Sequence, residues 1–63
     1  MTFQDFLNTA KNVPVGLRTG QHLYNTLAKV RPDIADVLME TGLDPFYDDN
    51  RVPAAIATIK ANW

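Results

Sequence analysis

The chain has no cysteine, no serine and a single histidine, and no apolar run approaches the 18–20 or so residues that cross a bilayer. Without cysteine there is neither a disulfide staple nor a thiolate metal site, which fits an intracellular setting. Without serine or cysteine, nucleophilic catalysis would fall to the threonines, which mostly sit at helix caps or on helix surfaces. No carboxylate stands beside His22 by local spacing, so it reads as an exposed helix-surface histidine rather than part of a triad. A net charge of −1 and a pI of about 5.5 give no overall electrostatic pull toward nucleic acid. The opening Met1-Thr2-Phe3-Gln4-Asp5 lacks the basic region and apolar core of a secretion signal. The expectation is a soluble cytoplasmic protein with no membrane association.

What is present is helical periodicity. At 63 residues the chain is read as one domain, residues 1–63, with a small core and marginal stability. Thr2 caps a first helix, with Asp5 completing a shortened capping box, and Phe3, Phe6, Leu7 and Ala10 share one face. Asn12-Val13-Pro14-Val15-Gly16 breaks that helix. Thr19 reads as the N-cap of the second, in which Leu23, Tyr24, Leu27 and Val30 line one side at about 100° per residue. Arg31-Pro32 ends it, and Pro32 suits the first turn of a third helix, with Asp33 and Asp36 near its N-terminus. Ile34, Val37, Leu38 and Thr41 form the inner face of that helix, and Gly42 takes the left-handed position after it.

Past Gly42, Leu43 is expected to be buried. Asp44-Pro45 reads as a cap and first helical position, with Phe46 and Tyr47 turned inward on a single helical turn or tight bend. Asp48-Asp49-Asn50 then caps a last helix carrying Val52, Ile56, Ile59 and Trp63 on one face and Ala54, Ala57, Thr58 and Ala61 on the reverse. The expected architecture is all-α, a compact bundle of four short helices. Its expected core is Phe3, Phe6, Leu7, Leu23, Leu27, Ile34, Leu38, Phe46, Ile56, Ile59 and Trp63. Trp63, if fully buried, would be worth roughly 3–5 kcal/mol.

The acidic group Asp44, Asp48, Asp49 and Asn50 raises the question of a hard cation. It departs from the calcium-loop pattern, and Pro45-Phe46-Tyr47 stands where ligands would be needed, so these residues read as caps and solubilising charge. Paired-carboxylate chemistry needs a cleft, for which so small a bundle has little room. No enzyme, cofactor or metal is expected.

Binding surfaces remain. The second helix carries Arg18, Gln21, His22, Asn25 and Lys29 opposite its apolar side, and the third carries Asp33, Asp36 and Glu40. The candidate partner-binding residues are Arg18, Gln21, His22, Asn25, Lys29, Asp36 and Glu40. A helix-turn-helix reading meets the wrong charge, because Asp33, Asp36 and Glu40 would face phosphate. The Arg18–Lys29 stripe has amides and a guanidinium able to read base edges but no flanking basic residues, so nucleic acid ranks below a protein partner. The Ala54, Ala57, Ala61 face would allow close helix approach in a homodimer, and alanine is also the best helix former for an exposed face.

Arg18-x-Gly20-Gln21-x-x-Tyr24-Asn25-x-Leu27, Arg31-Pro32-Asp33-Ile34-Ala35, Leu43-Asp44-Pro45-Phe46-Tyr47 and a terminal Trp63 together resemble a group of short uncharacterised bacterial and bacteriophage proteins of similar length. The resemblance covers nearly the whole chain and brings no biochemical activity. It implies a stand-alone domain, and small phage proteins often act by binding and redirecting a host protein. The function expected is therefore a helical protein-interaction module that modulates or inhibits a host or defence complex. A small nucleic-acid-binding regulator and a self-assembling subunit are the alternatives.

Overall fold

The first helix begins as its sequence dictates. In a computed structural model describing residues 1–63, the Asp5 N–H donates to Thr2 Oγ1 at 3.1 Å and the Thr2 N–H donates to Asp5 Oδ2 at 3.2 Å. This reciprocal box satisfies two donors that a helix start otherwise leaves open. Four α-helices follow, α1 (Phe3–Lys11), α2 (Thr19–Val30), α3 (Pro32–Thr41) and α4 (Val52–Asn62), with a 3-10 turn at Asp49–Arg51 leading into α4. There are no strands, and the architecture is an all-α bundle. No helix is long and apolar enough to cross a membrane.

α2 is the hub, touching α1, α3, α4 and the 3-10 turn. That is why Gly20, Leu23, Thr26 and Leu27 are all buried, a wider arc than one stripe. α2 and α3 meet at Arg31 with Pro32 in the first turn of α3, where the missing N–H costs nothing. Gly42, at φ 73°, closes α3 in a Schellman arrangement. The Leu43 N–H reaches Leu38 O at 2.9 Å and the Gly42 N–H reaches Met39 O at 3.3 Å.

The enclosed core is Phe6, Ala10, Leu23, Leu27, Ile34, Ala35, Leu38, Ala55 and Ile59. Phe3, Leu7, Ile56, Leu43 and Trp63 pack against it half-buried, so Trp63 is not fully enclosed and its removal costs less than the full aromatic value. Ala35 and Ala55 enter a core expected to consist of larger side chains. α3 is packed by both α2 and α4, which rotates its buried centre onto Ile34, Ala35 and Leu38 and leaves Thr41 exposed. In α4 the centre is likewise Ala55–Ile59, with Val52, Ile56 and Trp63 at its flanks.

Trp63 meets Phe3 and Phe6 with ring centroids 5.9 and 5.3 Å apart, and the Arg31 guanidinium lies 5.2 Å from its centroid. These contacts bring the end of α4 to the start of α1 and to the α2–α3 junction.

Candidate functional site

The start of α2 is built differently from the expectation. Thr19 is the first helical residue, not the cap; Arg18 occupies the cap position and makes no side-chain cap bond there. The cap comes from far along the chain, where Asp49 Oδ1 accepts the Gly20 N–H at 2.9 Å. Gly20 is buried here, and a Cβ on it would overlap the Pro45 carbonyl oxygen and stand 2.8 Å from Asp49 Oδ1. Only glycine lets the segment 43–51 lie across this helix end.

Arg18 belongs to the same joint. Its Nη2 donates to the Phe46 carbonyl oxygen, and its Nε stands 3.9 Å from Asp49 Oδ1. His22 is half-buried rather than exposed, with Nε2 3.0 Å from Thr9 O, which ties α2 to α1. The expected outer stripe of α2 therefore divides. Arg18 and His22 hold the fold together, Gln21 is half-buried, and only Asn25 and Lys29 stand exposed without a side-chain partner in the chain. Proximity in sequence placed these residues on one face, but the crossing of α1 and of segment 43–51 decided which stayed free.

Of the two forms expected after Asp44-Pro45, a helical turn or a tight bend, segment 43–51 takes the bend. Asp44 Oδ1 accepts the Phe46 N–H at 2.9 Å, and the Asp48 N–H closes on Pro45 O at 3.1 Å, giving a tight turn centred on Phe46 and Tyr47. Phe46 is half-buried. Tyr47 does not turn inward as expected; it is 86% exposed, because the turn that Asp44 and Arg18 brace points its ring to solvent. Its centroid lies 4.7 Å from that of Phe46, which meets Tyr24 edge-on at 6.1 Å. Asp48 then caps the 3-10 turn through the Asn50 N–H at 3.0 Å.

The charges sort accordingly. Arg18 pairs with Asp49, Arg31 with Asp33 and Arg51 with Asp48. The Arg31 pair is bidentate, at 3.1 and 2.9 Å, and it raises Arg31 while holding the Asp33 carboxyl below its ordinary value. Asp36 and Glu40, exposed on α3, enter no ion pair or side-chain hydrogen bond within the chain. The Tyr24 phenol is pushed up from its ordinary value, first by burial and then by the negative charges of Asp44 and Asp36.

Ala54, Ala57 and Ala61 do face outward on α4. Arg31, Asp49 and the exposed Tyr47 were not singled out by the helical pattern. Of these, only the adjacency Arg31-Pro32-Asp33 offered a sequence signal, a cation two residues before an acid across a helix start. Comparison with protein families, with characterised proteins and with solved structures finds no match for this chain.

Proposed function

We propose that this protein is a small helical protein-interaction module acting in the cytoplasm, a modulator or inhibitor of a host protein or defence complex of the kind short phage proteins engage. One observation carries the reading. Once the fold has taken its own polar contacts, Asp36 and Glu40 on α3 remain outward and unpaired, and the Tyr47 ring, which touches Phe46 alone among the aromatics, stays open to solvent. A surface that leaves an exposed aromatic and uncompensated charge facing water favours a macromolecular partner.

The reading as a nucleic-acid regulator loses Arg18, which is occupied by Phe46 and Asp49, and keeps Gln21, Asn25 and Lys29 with a single cation among them. Self-assembly is supported by the outward placement of Ala54, Ala57 and Ala61, where a glutamate at position 57 would dissociate a homodimer.

The test is affinity capture of the tagged chain from the lysate of the producing cell, with and without nuclease. A nuclease-resistant, stoichiometric protein partner is the expected result. Recovery of nucleic acid alone, or of nothing beyond the chain itself, overturns the reading.

A further inference from the structure

We infer that α1 is exchangeable and that two copies of this chain pair by trading it. The α1 of each copy seats in the groove of the other, with the two linkers side by side. The inference stands apart from the interaction-module reading and concerns the chain's own association.

The occupant of the groove is already on display, because α1 itself shows the fit. It packs on α2 and on Trp63, encloses Phe6 and Ala10, and brings the Phe3 and Phe6 rings to 5.9 and 5.3 Å from the Trp63 ring. A second copy offers the same groove to the same helix, so every contact of the closed chain is remade across the pair.

α1 is also built to leave as a unit. Its polar groups find partners within it: the Thr2–Asp5 box at its start, Gln4 Nε2 on Asn8 Oδ1 at 3.0 Å, and Asn12 Nδ2 on Asn8 O at 3.0 Å at its end. No ion pair joins it to the rest of the bundle. One side-chain hydrogen bond does, His22 Nε2 donating to Thr9 O at 3.0 Å. The remaining attachment is apolar. A helix of 9 residues is marginal alone in water, so a released α1 requires a groove, its own or a second copy's.

The linker supplies the hinge. Residues 13–17 make a single hydrogen bond, inside the linker, from the Leu17 N–H to Pro14 O at 3.2 Å. Gly16, at φ 92°, completes that turn, and opening it breaks no other bond. Just beyond, Arg18 is held by the Phe46 carbonyl oxygen and Gly20 by Asp49, which confines the pivot to the linker. The linker is also apolar, Val13-Pro14-Val15-Gly16-Leu17, and the Val15 side chain stands wholly in water. Two opened linkers laid together would cover both Val15 side chains, an apolar gain that the closed chain forgoes.

The experiment refolds the full chain from denaturant at rising concentration and reads its mass by light scattering. Equal amounts of isotope-labelled and unlabelled chain, refolded together, are then compared by isotope-filtered NOE spectroscopy. The dimer fraction should grow with concentration, and NOEs should connect the Phe6 ring of one copy to the Trp63 ring of the other. Val15→Asp should lower the dimer fraction about tenfold at a fixed concentration. Its helical circular dichroism should be unchanged, since Val15 is fully exposed in the closed chain.

A chain that stays monomeric after refolding at millimolar concentration overturns the inference. So does a dimer whose Phe6–Trp63 NOEs all lie within one copy, which would assign association to an outer face such as that of Ala54, Ala57 and Ala61. A dimer fraction unmoved by Val15→Asp overturns it as well, since the linkers would then lie apart. The module reading is tested separately, by capture of a different protein.

Discussion

At one end of the bundle Phe3, Phe6, Trp63 and Arg31 close the fold by stacking rings and a guanidinium. At the other, Arg18, Asp44 and Asp49 close it by hydrogen bonds to backbone groups. The first closure is made mostly of ring area, with Arg31 over the indole and a single long hydrogen bond of 3.4 Å from Arg31 to the Trp63 carbonyl, and its apolar part tolerates small misalignments. The second depends on single atoms. It joins residues 28 and 29 positions apart, and one hydrogen on Gly20 decides whether the segment fits. The ring end supports stability, whereas the polar end also holds the Tyr47 turn in a fixed shape.

That contrast breaks most severely at Phe6, which is fully enclosed and touches both Phe3 and Trp63. Phe6→Ala should cost about 3–5 kcal/mol, read as the loss of cooperative melting followed by helical circular dichroism. Trp63→Ala should cost less, since the indole is only half-buried.

At the polar end, Gly20→Ala should destabilise by about 1–3 kcal/mol although alanine is the better helix former by about 1 kcal/mol. Its urea midpoint is the measurement. An unchanged or raised midpoint would mean that segment 43–51 does not press on α2 as described.

Asp49→Ala should cost about 1 kcal/mol, the usual value of a lost N-cap, even though this cap comes from a distant segment. A double-mutant cycle with Arg18 separates the cap from the ion pair. Because the pair is half-exposed at 3.9 Å, the coupling should be no more than a few tenths of a kcal/mol.

The smallest effects are those of pH. Asp33, held down by its hydrogen bonds from Arg31, and Asp5, held down by those of Thr2, have folded values below the ordinary 3.8. Their contribution is complete above the ordinary value and is lost as pH falls through the lowered ones. Tyr24 runs the other way. Its folded value lies above the ordinary 10.0, so its contribution is present below pH 10.0 and is lost as pH rises through the folded value. Denaturation midpoints across pH should therefore fall at both extremes, with Asp33→Asn flattening the acid arm and Tyr24→Phe the alkaline one. A Tyr24→Phe profile identical to wild type above pH 10 would mean that burial does not hold the Tyr24 phenol above its ordinary value.

Much of this was legible in the residues themselves. The Thr2–Asp5 box, Pro32 in the first turn of α3, Gly42 at its end and the apolar positions Phe6, Leu23, Leu27, Ile34, Leu38 and Ile59 are local features. Capping, the proline ring and helical period act within a few residues, so a linear pattern contains them. Ala35 and Ala55 were not legible, since their burial reflects which neighbours pack around α3 and α4 rather than side-chain size.

The candidate surface shows the same division. The wheel placed Arg18, Gln21, His22, Asn25 and Lys29 together on α2, and their periodicity is as expected. It could not show that His22 would lie against Thr9, or that Arg18 and Asp49 would be drawn to the Phe46 turn. Nor could it show that Tyr47 would be turned outward beside Phe46 and Tyr24. The sequence by itself determined the helices, the start of α1, both ends of α3 and the sign of the charge on each helix, because those follow from local sterics and hydrogen bonding. Only the tertiary structure decided which polar groups the fold consumed and which it left facing water, because the backbone carbonyls and amides that claim them lie far away along the chain.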